Sequence, residues 1–343
     1  MVHVGFTGGG NITETHIRAA LAIPDVAVAG IYGSNFEKVS ALCSRYGGTP
    51  HRSLQDLLKR RPLDLIIIGS PSGLHAEEGK AAARAGVHVL VEKPIDMSTK
   101  RADELIDIAA NYGVKLGVIF QDRLKPDILR LRDWISSGRL GRPILVEASV
   151  KWYRLPEYYS SSRWRGTLTL DGGGALINQG IHTVDLLRYL MGEVAEVTAV
   201  TRTSVHEIEA EDTCVATLEF VNGALGVLHA TTAAYPGYPR AVEITGTEGT
   251  VRLEQDRIVR LDLRSAVPEA EASEPGDQNS SSNSPVVNDV RGHQRIIEDF
   301  LRCIRTGGSA VCSGEEGRRT LEVVERIYRA AQSRDHELCA TKV

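Results

Sequence analysis

Apolar residues follow one pattern in the first third of this 343-residue chain and a different one in the rest. The first third holds five short runs rich in Val and Ile, in which polar residues do not alternate with apolar ones. Such runs are typical of parallel strands that are buried on both faces. They predict strands at 2–6, 26–32, 63–69, 87–91 and 114–120.

Helical patterns lie between these strands and complete a regular alternation. They predict helices at 13–22, 36–46, 54–59, 76–85 and 99–112. Strands that alternate with helices in this way are the signature of a doubly wound α/β sheet. We therefore expect residues 1–122 to form a dinucleotide-binding Rossmann domain with a parallel sheet.

The pattern changes after a predicted helix at 127–137. Strands follow at 144–152, 194–203, 213–220, 225–232, 241–246, 250–254 and 258–263, with a helix at 180–191 between the first two. Turn pairs such as Asn222-Gly223 and Glu248-Gly249 join several strands directly, which favours antiparallel pairing. A polar segment at 265–290 is predicted to be a loop, and helices at 294–305 and 315–332 close the chain. Residues 123–343 thus read as an α+β substrate-binding and oligomerisation domain with an open, mostly antiparallel sheet.

Composition narrows the class of protein. Charged residues make up 24% of the chain and the formal net charge is −4, so nothing favours nucleic acid as a partner. No apolar run approaches the ~20 residues that span a bilayer. The five cysteines lie far apart and form no Cys/His metal pattern, so we expect reduced thiols, no metal and a cytoplasmic protein.

Glycines mark the first candidate site. Gly8 and Gly10 follow the first predicted strand directly, and Asn11 and Ile12 open the first helix. Glycines at this place allow a tight turn and let the backbone approach a pyrophosphate, which then lies on the helix N-terminus. The third glycine of the usual fingerprint is replaced by Thr13, so the placement between strand and helix carries much of the prediction.

The end of the second strand bears on the choice of cofactor. NAD-selective sites usually place an acid there for the ribose 2′-hydroxyl, but the first acid in this segment is Glu37. Ser34 and Asn35 can donate hydrogen bonds to a 2′-phosphate, and Lys38 can supply charge. An ordinary turn with a solvated lysine is the alternative. We favour NADP, with NAD possible.

The fourth predicted strand ends in Glu92-Lys93-Pro94. Residues beyond the carboxyl ends of parallel strands line the ligand crevice, so Lys93 should face the nicotinamide. In the second domain Asn178, His182 and Asp185 are spaced i, i+4 and i+7 and are predicted to share one face of a helix. A triple glycine precedes that helix and would let backbone approach a ligand closely.

These motifs together resemble the Gfo/Idh/MocA oxidoreductases, the family of glucose–fructose oxidoreductase and inositol dehydrogenase. The resemblance covers nearly the whole chain outside the segment near 265–290. It is carried by Gly8-x-Gly10 with His16, Ser70-Pro71-Ser72-Gly73-Leu74-His75, Glu92-Lys93-Pro94, Trp164-Arg165-Gly166, Asp171-Gly172-Gly173-Gly174 and Asn178-Gln179-Gly180-Ile181-His182-Thr183-Val184-Asp185, with further likeness at Asn222-Gly223, Gly246-Thr247-Glu248-Gly249 and Gly292-His293.

The resemblance implies catalytic roles for Lys93 and His182, which in the family serve the substrate hydroxyl. Chemistry agrees, because alcohol oxidation needs a base for the hydroxyl proton and a positive group for the developing alkoxide. It also implies cofactor contacts for Ser70, Pro71, His75, Glu92, Lys93 and Gln121. One residue departs from the pattern: inositol-dehydrogenase-like members carry Asp where this chain has Asn178. A neutral amide is no base, so Asn178 is expected to position substrate.

Aromatic and cationic residues cluster between 151 and 165, although aromatic residues make up only 5% of the chain. Aromatic faces suit a sugar ring and arginines suit a carboxylate or phosphate, so Tyr153, Arg154, Trp164 and Arg165 are candidate substrate ligands. A surface hairpin or an oligomer contact is the alternative. Asp185 and His293 complete the candidate substrate residues.

Three functions remain open from the sequence. The first is an NAD(P)-dependent sugar or polyol dehydrogenase; the second is a glycosidase or lyase of the same family type that reduces and reoxidises bound NAD within one turnover. The third is a ligand-sensing regulator without chemistry, against which the retained Lys93 and His182 argue. An open sheet with apolar strands needs cover, so we expect a homodimer or homotetramer formed through the C-terminal sheet.

Overall fold

A computed structural model describes residues 1–162, 164–265 and 289–333. Its first sheet is parallel and has six strands in the order β3-β2-β1-β4-β5-β6. The strands are β1 (Val2–Thr7), β2 (Val26–Tyr32), β3 (Thr49–His51), β4 (Leu65–Ile68), β5 (His88–Glu92) and β6 (Leu116–Ile119). The connecting helices are α1 (Asn11–Leu21), α2 (Phe36–Tyr46), α3 (Leu54–Lys59), α4 (His75–Arg84) and α5 (Thr99–Asn111).

The predicted Rossmann class is confirmed, and the one strand that the pattern missed is β3. It has three residues, includes Pro50 and contains no apolar run. It is held by pairing with β2, in which His51 lies opposite Tyr32. A strand that short carries no periodic signal of its own.

The second sheet has seven strands in the order β13-β12-β11-β7-β10-β9-β8. Its strands are β7 (Pro143–Lys151), β8 (Val194–Arg202), β9 (Thr213–Phe220), β10 (Leu225–Thr231), β11 (Ala241–Gly246), β12 (Gly249–Glu254) and β13 (Arg257–Leu263). All neighbours are antiparallel except β7 and β10, which run parallel. The remaining helices are α6 (Pro126–Ser136), α7 (Pro156–Ser160), α8 (Ile181–Met191), α9 (Arg291–Thr306) and α10 (Gly314–Gln332).

The closing helices return to the first sheet. Ile296, Ile297 and Phe300 of α9 share a core with Val4 and Phe6 of β1. At the start of α10, the carbonyl of Cys312 accepts a hydrogen bond of 3.0 Å from the Val118 N–H of β6. The predicted domain boundary at 122/123 stays a prediction. Helices α9 and α10 lie after this boundary in the sequence, yet they pack on the nucleotide domain. Of the predicted loop at 265–290, residues 266–288 lie outside the described part of the chain.

Two features of this fold place the site. Strand order reverses between β1 and β4, and ligands of open α/β sheets bind outside the carboxyl ends of the strands at such a point. Helix α8 follows a π-helical turn at Leu176–Gly180 and lies against the segment after β6, where Arg123 bonds Asp185. Within the described residues no helix is long and apolar enough to cross a bilayer.

Candidate active site

The turn between β1 and α1 forms a cradle of backbone groups. Gly8 has φ +98°, and a Cβ there would lie 2.5 Å from the Gly69 carbonyl oxygen. Gly10 caps α1 without a side-chain hydrogen bond, and a Cβ on it would meet nothing within 4 Å. The first N–H groups of the helix, including those of Asn11 and Ile12, have no acceptor within the helix itself. This arrangement fits a pyrophosphate group.

Thr13 explains how the cradle forms without its third glycine. It is fully buried, and its Oγ1 lies 3.4 Å from the Thr7 carbonyl oxygen and donates to it. Thr7 in turn donates 2.5 Å to the Glu78 carboxylate, which also accepts from Ser70 Oγ at 2.9 Å. Through the Glu78 carboxylate, these hydrogen bonds connect the end of β1 with the loop after β4. Burial raises the pKa of Glu78, which the hydroxyl donors oppose.

The end of β2 presents an exposed polar turn. Ser34, Asn35 and Lys38 are all exposed. The side-chain oxygen Oδ1 of Asn35 accepts the Lys38 N–H at 3.0 Å, so Asn35 caps α2. Sequence reasoning missed a further cation: Arg52, just after β3, lies with its guanidinium 3.9 Å from the centre of the Phe36 ring. Because β3 pairs with β2, only sheet pairing brings Arg52 to this edge.

Lys93 lies at the carboxyl end of β5 and reaches across to the second domain. Its Nζ donates 2.6 Å to the backbone carbonyl of Asn178. Glu92 accepts the Lys93 N–H at 2.9 Å through Oε2, and its Oε1 lies 2.9 Å from His16 Nε2. Burial lowers the pKa of Lys93, while the neighbouring Glu92 carboxylate acts against this. Burial disfavours an ionised Glu92, but the bond from His16 and the Lys93 charge lower its pKa to about 2.

His182 stands on the first turn of α8. Its Nδ1 lies 3.7 Å from Oδ2 of Asp122, and its ring packs edge-on against Phe120. Burial and the charge of Lys93 lower the pKa of His182 to about 3. Its imidazole is therefore neutral near pH 7 and can accept a proton. Asp122, which sequence reasoning missed, follows β6 and so lies at the same sheet edge as Lys93.

Asn178 lies in the π-helical turn before α8, a kind of bulge that is frequent at functional sites. Its Nδ2 donates 3.4 Å to the Gly173 carbonyl. Asp171 is a second missed residue: it is buried and accepts the Gly166 N–H at 2.8 Å. Burial raises the pKa of Asp171, which the amide of Asn178 and the charge of Lys93 oppose. A carboxyl group thus lies beside Asn178, although position 178 itself is neutral.

The prediction that Asp185 contacts substrate is wrong. Arg123 binds it in bidentate fashion, with Nε at 2.8 Å from Oδ2 and Nη2 at 2.6 Å from Oδ1, and Thr320 donates 2.9 Å to Oδ1. Only 1% of Asp185 is exposed. Seven residues of helix advance about 10 Å along the axis. The shared face therefore runs from the crevice at Asn178 into the core at Asp185.

Two histidines are also corrected. Both ring nitrogens of His75 are used by the protein, since Nδ1 lies 2.7 Å from the Pro94 carbonyl and Nε2 lies 2.8 Å from the Ser70 carbonyl. His75 therefore joins the loops after β4 and β5 and has no ring atom left for a cofactor. His293 is buried, and its ring centre lies 5.2 Å from that of His16, so its predicted substrate contact gains no support from this geometry. We assign Glu92 likewise to support of Lys93 rather than to cofactor contact.

His16, Glu92 and His293 offer ligand atoms within 4.8 Å of one another. The His16–Glu92 pair is already at hydrogen-bond distance, which accounts for the cluster without a metal ion. Burial and the nearby His16 lower the pKa of His293 to about 4. The prediction of no metal stays a prediction.

The aromatic and cationic cluster is divided between two faces of the chain. The guanidinium groups of Arg154 and Arg165 lie 5.5 and 4.3 Å from the Tyr158 ring centre, and Arg165 also lies 5.5 Å from that of Trp164. Arg154 is buried, near enough to Lys93 to affect its pKa. Tyr153 points to the opposite face, as alternate residues of an extended segment do, and packs against Tyr235. Its predicted substrate contact has no support in this geometry.

Comparison with known proteins agrees with this architecture. Residues 2–120 match the model of the oxidoreductase family with an NAD-binding Rossmann fold, GFO_IDH_MocA, and residues 128–252 match the GFO/IDH/MocA C-terminal domain. The WlbA dehydrogenase from Bordetella pertussis, solved in complex with NADH and UDP-GlcNAcA, is 32% identical with a TM-score of 0.85, and the match covers 97% of each chain.

Two curated relatives are similar over most of their length. Levoglucosan dehydrogenase from Pseudarthrobacter phenanthrenivorans is 25% identical over 379 residues, which covers 96% of each chain. The uncharacterized oxidoreductase YrbE of Bacillus subtilis is 29% identical over 273 residues, or 76% of each. The chain belongs to the GFO/IDH/MocA oxidoreductase family, and it is an enzyme with an NAD-binding Rossmann domain.

Proposed function

We propose that this enzyme transfers a hydride between a nicotinamide cofactor and a secondary alcohol or ketone carbon of a sugar, a sugar derivative or a polyol. The observation that carries the proposal is the meeting of Lys93, Asn178 and His182 at the carboxyl edge of the parallel sheet, beside the Gly8–Gly10 cradle. A polar site next to a dinucleotide cradle is the arrangement that redox chemistry on a hydroxyl requires.

The residues of this chain divide the work on the hydroxyl group. Bound NAD(P)⁺ supplies the hydride acceptor. His182 is neutral near pH 7 and takes the hydroxyl proton, while the Lys93 ammonium stabilises the developing alkoxide. Asn178 orients the hydroxyl by hydrogen bonding. The backbone N–H groups of Asn11 and Ile12 would hold the pyrophosphate, with Ser70, Pro71 and Gln121 at the neighbouring strand ends.

We propose NADP as the preferred cofactor, with NAD as the alternative. Ser34, Lys38 and Arg52 offer two cations and a hydroxyl at the edge of β2, and no acid precedes Glu37 to exclude a 2′-phosphate. The WlbA dehydrogenase was solved with NADH. Binding of NADPH and NADH, followed by their fluorescence, compares the two directly.

For the substrate we propose a carboxylated or nucleotide-linked sugar. Arg154 and Arg165 stack on one tyrosine close to Lys93, which suits an anionic group on a ring that packs on aromatic faces. The UDP-GlcNAcA found with the WlbA dehydrogenase is a ligand of this kind. Trp164 completes the aromatic face.

A panel assay tests the function. The enzyme is incubated with NADP⁺ or NAD⁺ and with neutral sugars, polyols, uronic acids and UDP-sugars, and absorbance at the reduced-nicotinamide band is followed. Net cofactor reduction is expected and excludes an internal redox cycle. Product formation without net reduction would instead support the glycosidase or lyase alternative, and ligand binding without either would support a regulator.

We also propose that the outer face of the second sheet joins subunits into a homodimer or homotetramer. Val215, Leu225 and Val259 on this sheet are 45%, 56% and 54% exposed, and such strands are usually covered. Four cysteines are free and buried in the described residues, which suits a cytoplasmic enzyme. Light scattering measures the assembly, and replacement of Leu225 by Lys should shift it toward monomer.

A further inference from the structure

A cluster of four charges, three of them buried, lies behind His182. We call Asp122, Lys125, Arg240 and Asp256 the four-charge cluster. Lys125 Nζ lies 2.7 Å from Asp122 Oδ1 and 2.6 Å from Asp256 Oδ2. Arg240 Nη2 donates 2.7 Å to Asp122 Oδ2 and also binds Asp256. Each carboxylate is therefore bound by both cations, and two of the four pairs, Lys125–Asp256 and Arg240–Asp122, join parts of the chain more than 100 residues apart.

The cluster fixes Asp122 in place and keeps it ionised. Asp122 and Asp256 are about nine-tenths buried or more, and Arg240 is 7% exposed. Burial disfavours the charge of Asp122, but Lys125 and Arg240 hold its pKa well below its usual range. Asp256 belongs to a tight turn between β12 and β13, where Gln255 and Asp256 have φ of +49° and +65°. A turn of the second sheet thus helps to hold the Asp122 carboxylate at the edge of the first sheet.

Beyond the cluster this carboxylate faces His182, and its charge also acts to raise the pKa of Lys93 and of His293. The two atoms, Asp122 Oδ2 and His182 Nδ1, lie 3.7 Å apart. Nδ1 is buried and has no hydrogen-bond partner among the described residues. Contacts of this kind are often long in a ligand-free enzyme and tighten when the reacting complex forms.

We propose that Asp122 is the positioning residue of His182. It accepts the Nδ1–H of the neutral imidazole, which leaves the Nε2 lone pair for the substrate hydroxyl. This inference rests on the proposed function of His182 as the base. When Nε2 takes the hydroxyl proton, the imidazolium forms beside a fixed anion and is stabilised by it.

The other charges around His182 make this anion necessary. Lys93 and Arg240 lower the pKa of His182, whereas Asp122 and Glu92 raise it. Without Asp122, burial and the charges of Lys93 and Arg240 would disfavour the His182 imidazolium, and of the two carboxylates only Glu92 would remain to stabilise it. A purely structural Asp122 would stabilise the fold but would leave the His182 tautomer unchanged.

The test measures the tautomer itself, so it does not depend on knowing the substrate. The full-length enzyme is labelled with ¹⁵N-histidine, and the His182 signals are identified by their loss in His182→Gln. At pH 7 we expect the wild type to carry its proton on Nδ1. In Asp122→Ala the acceptor is gone, and we expect the proton to move to Nε2. A wild type protonated on Nε2, or an Asp122→Ala variant still protonated on Nδ1, would overturn the proposal.

Two variants separate positioning from folding. Asp122→Asn keeps the shape and removes the charge, and Asp256→Asn removes a carboxylate from the same two cations without facing His182. With any panel substrate that the wild type oxidises, Asp122→Asn should lower kcat by about 10–100-fold with little change in KM. The acidic limb of the pH–kcat profile of Asp122→Asn should also move to lower pH, because loss of the anion lowers the pKa of His182. Asp256→Asn should lower kcat much less. Equal loss in both variants, with equal loss of thermal stability, would assign Asp122 to the fold alone.

If no substrate is found, the ¹⁵N measurement still decides the role of Asp122. The failure of the proposed function and the failure of the positioning role are therefore distinguishable. NADPH fluorescence in each variant checks that the nucleotide domain is folded. An Asp122→Ala variant that binds NADPH as the wild type does and keeps the wild-type tautomer counts against the proposal.

Discussion

The Gly8–Gly10 cradle and the His182 site lie at the same edge of one sheet, yet the chain builds them in different ways. The cradle consists of consecutive residues between β1 and α1, and its shape follows from the φ of +98° at Gly8. The His182 site draws Lys93, Asp122, Asn178 and Arg240 from distant segments. Backbone geometry suffices for the cradle, whereas the His182 site depends on how two domains pack. Five tests can break or sharpen this contrast.

The largest effect is expected at Lys93. In Lys93→Ala the charge beside the reacting hydroxyl is lost, and kcat should fall about 10³-fold or more. The cradle is untouched, so NADPH binding measured by fluorescence should stay close to that of the wild type. Turnover equal to that of the wild type would remove Lys93 from the mechanism.

Asp185→Asn should break the packing of α8 on the segment after β6. Removing one partner of a buried ion pair costs about 3–5 kcal/mol, and Arg123 is 1% exposed. A matched control is Asp103→Asn, since Asp103 pairs with Arg318 at the surface and is 50% exposed; its cost should be about 1 kcal/mol or less. Chemical denaturation measures both. Equal costs would contradict the structural role given to Asp185.

Acid should weaken the contact between α9 and the first sheet. The pKa of His293 is about 4 in the folded protein and about 6.5 in the unfolded chain. Between these values the unfolded chain binds a proton that the folded protein does not, so stability falls as the pH drops from 6.5 to 4. His293→Gln should remove about 3 kcal/mol of this pH dependence. If the free energy of unfolding depended on pH in the same way in the wild type and in His293→Gln, His293 would not be buried in its neutral form.

Two glycines of the cradle should respond differently. Gly8→Ala places a side chain at φ +98° against the Gly69 carbonyl and should cost about 1–3 kcal/mol in strain alone. Gly10→Ala has open space and φ −98°, so its stability should change by about 0.5 kcal/mol or less. Both should weaken cofactor binding, because the pyrophosphate approaches this backbone. A Gly10→Ala enzyme with wild-type cofactor affinity would mean that the pyrophosphate lies elsewhere.

The smallest effect on cofactor binding is expected at the edge of β2. Lys38→Ala should weaken NADPH binding by about tenfold, or 1.4 kcal/mol, and leave NADH binding nearly unchanged, because only NADPH carries the 2′-phosphate. Lys59→Ala, a surface lysine of the neighbouring α3, is the control. Equal loss for both cofactors would argue against the NADP preference.

Much of the fold could be predicted because its signals are local. The apolar runs and the helical periodicity predicted every strand and α-helix of the first domain except β3, which has three residues and no apolar run of its own. In the site, Lys93 and His182 were found from motifs. Asp122, Asp171 and Arg52 were missed, although Asp122 stands at a strand end like Lys93, a position that could have flagged it.

By itself the sequence determined the class of both sheets, the family and the residues that motifs carry, because periodicity and glycine placement act over a few residues. The tertiary structure alone decided which polar residues meet. It buried Asp185 on Arg123, enclosed His75 between two loops and put Asp122 behind His182. Charge pairing in a buried site depends on distance in space, and partners such as Arg123 and Asp185, or Asp122 and His182, are 60 or more positions apart and leave no local sign of it.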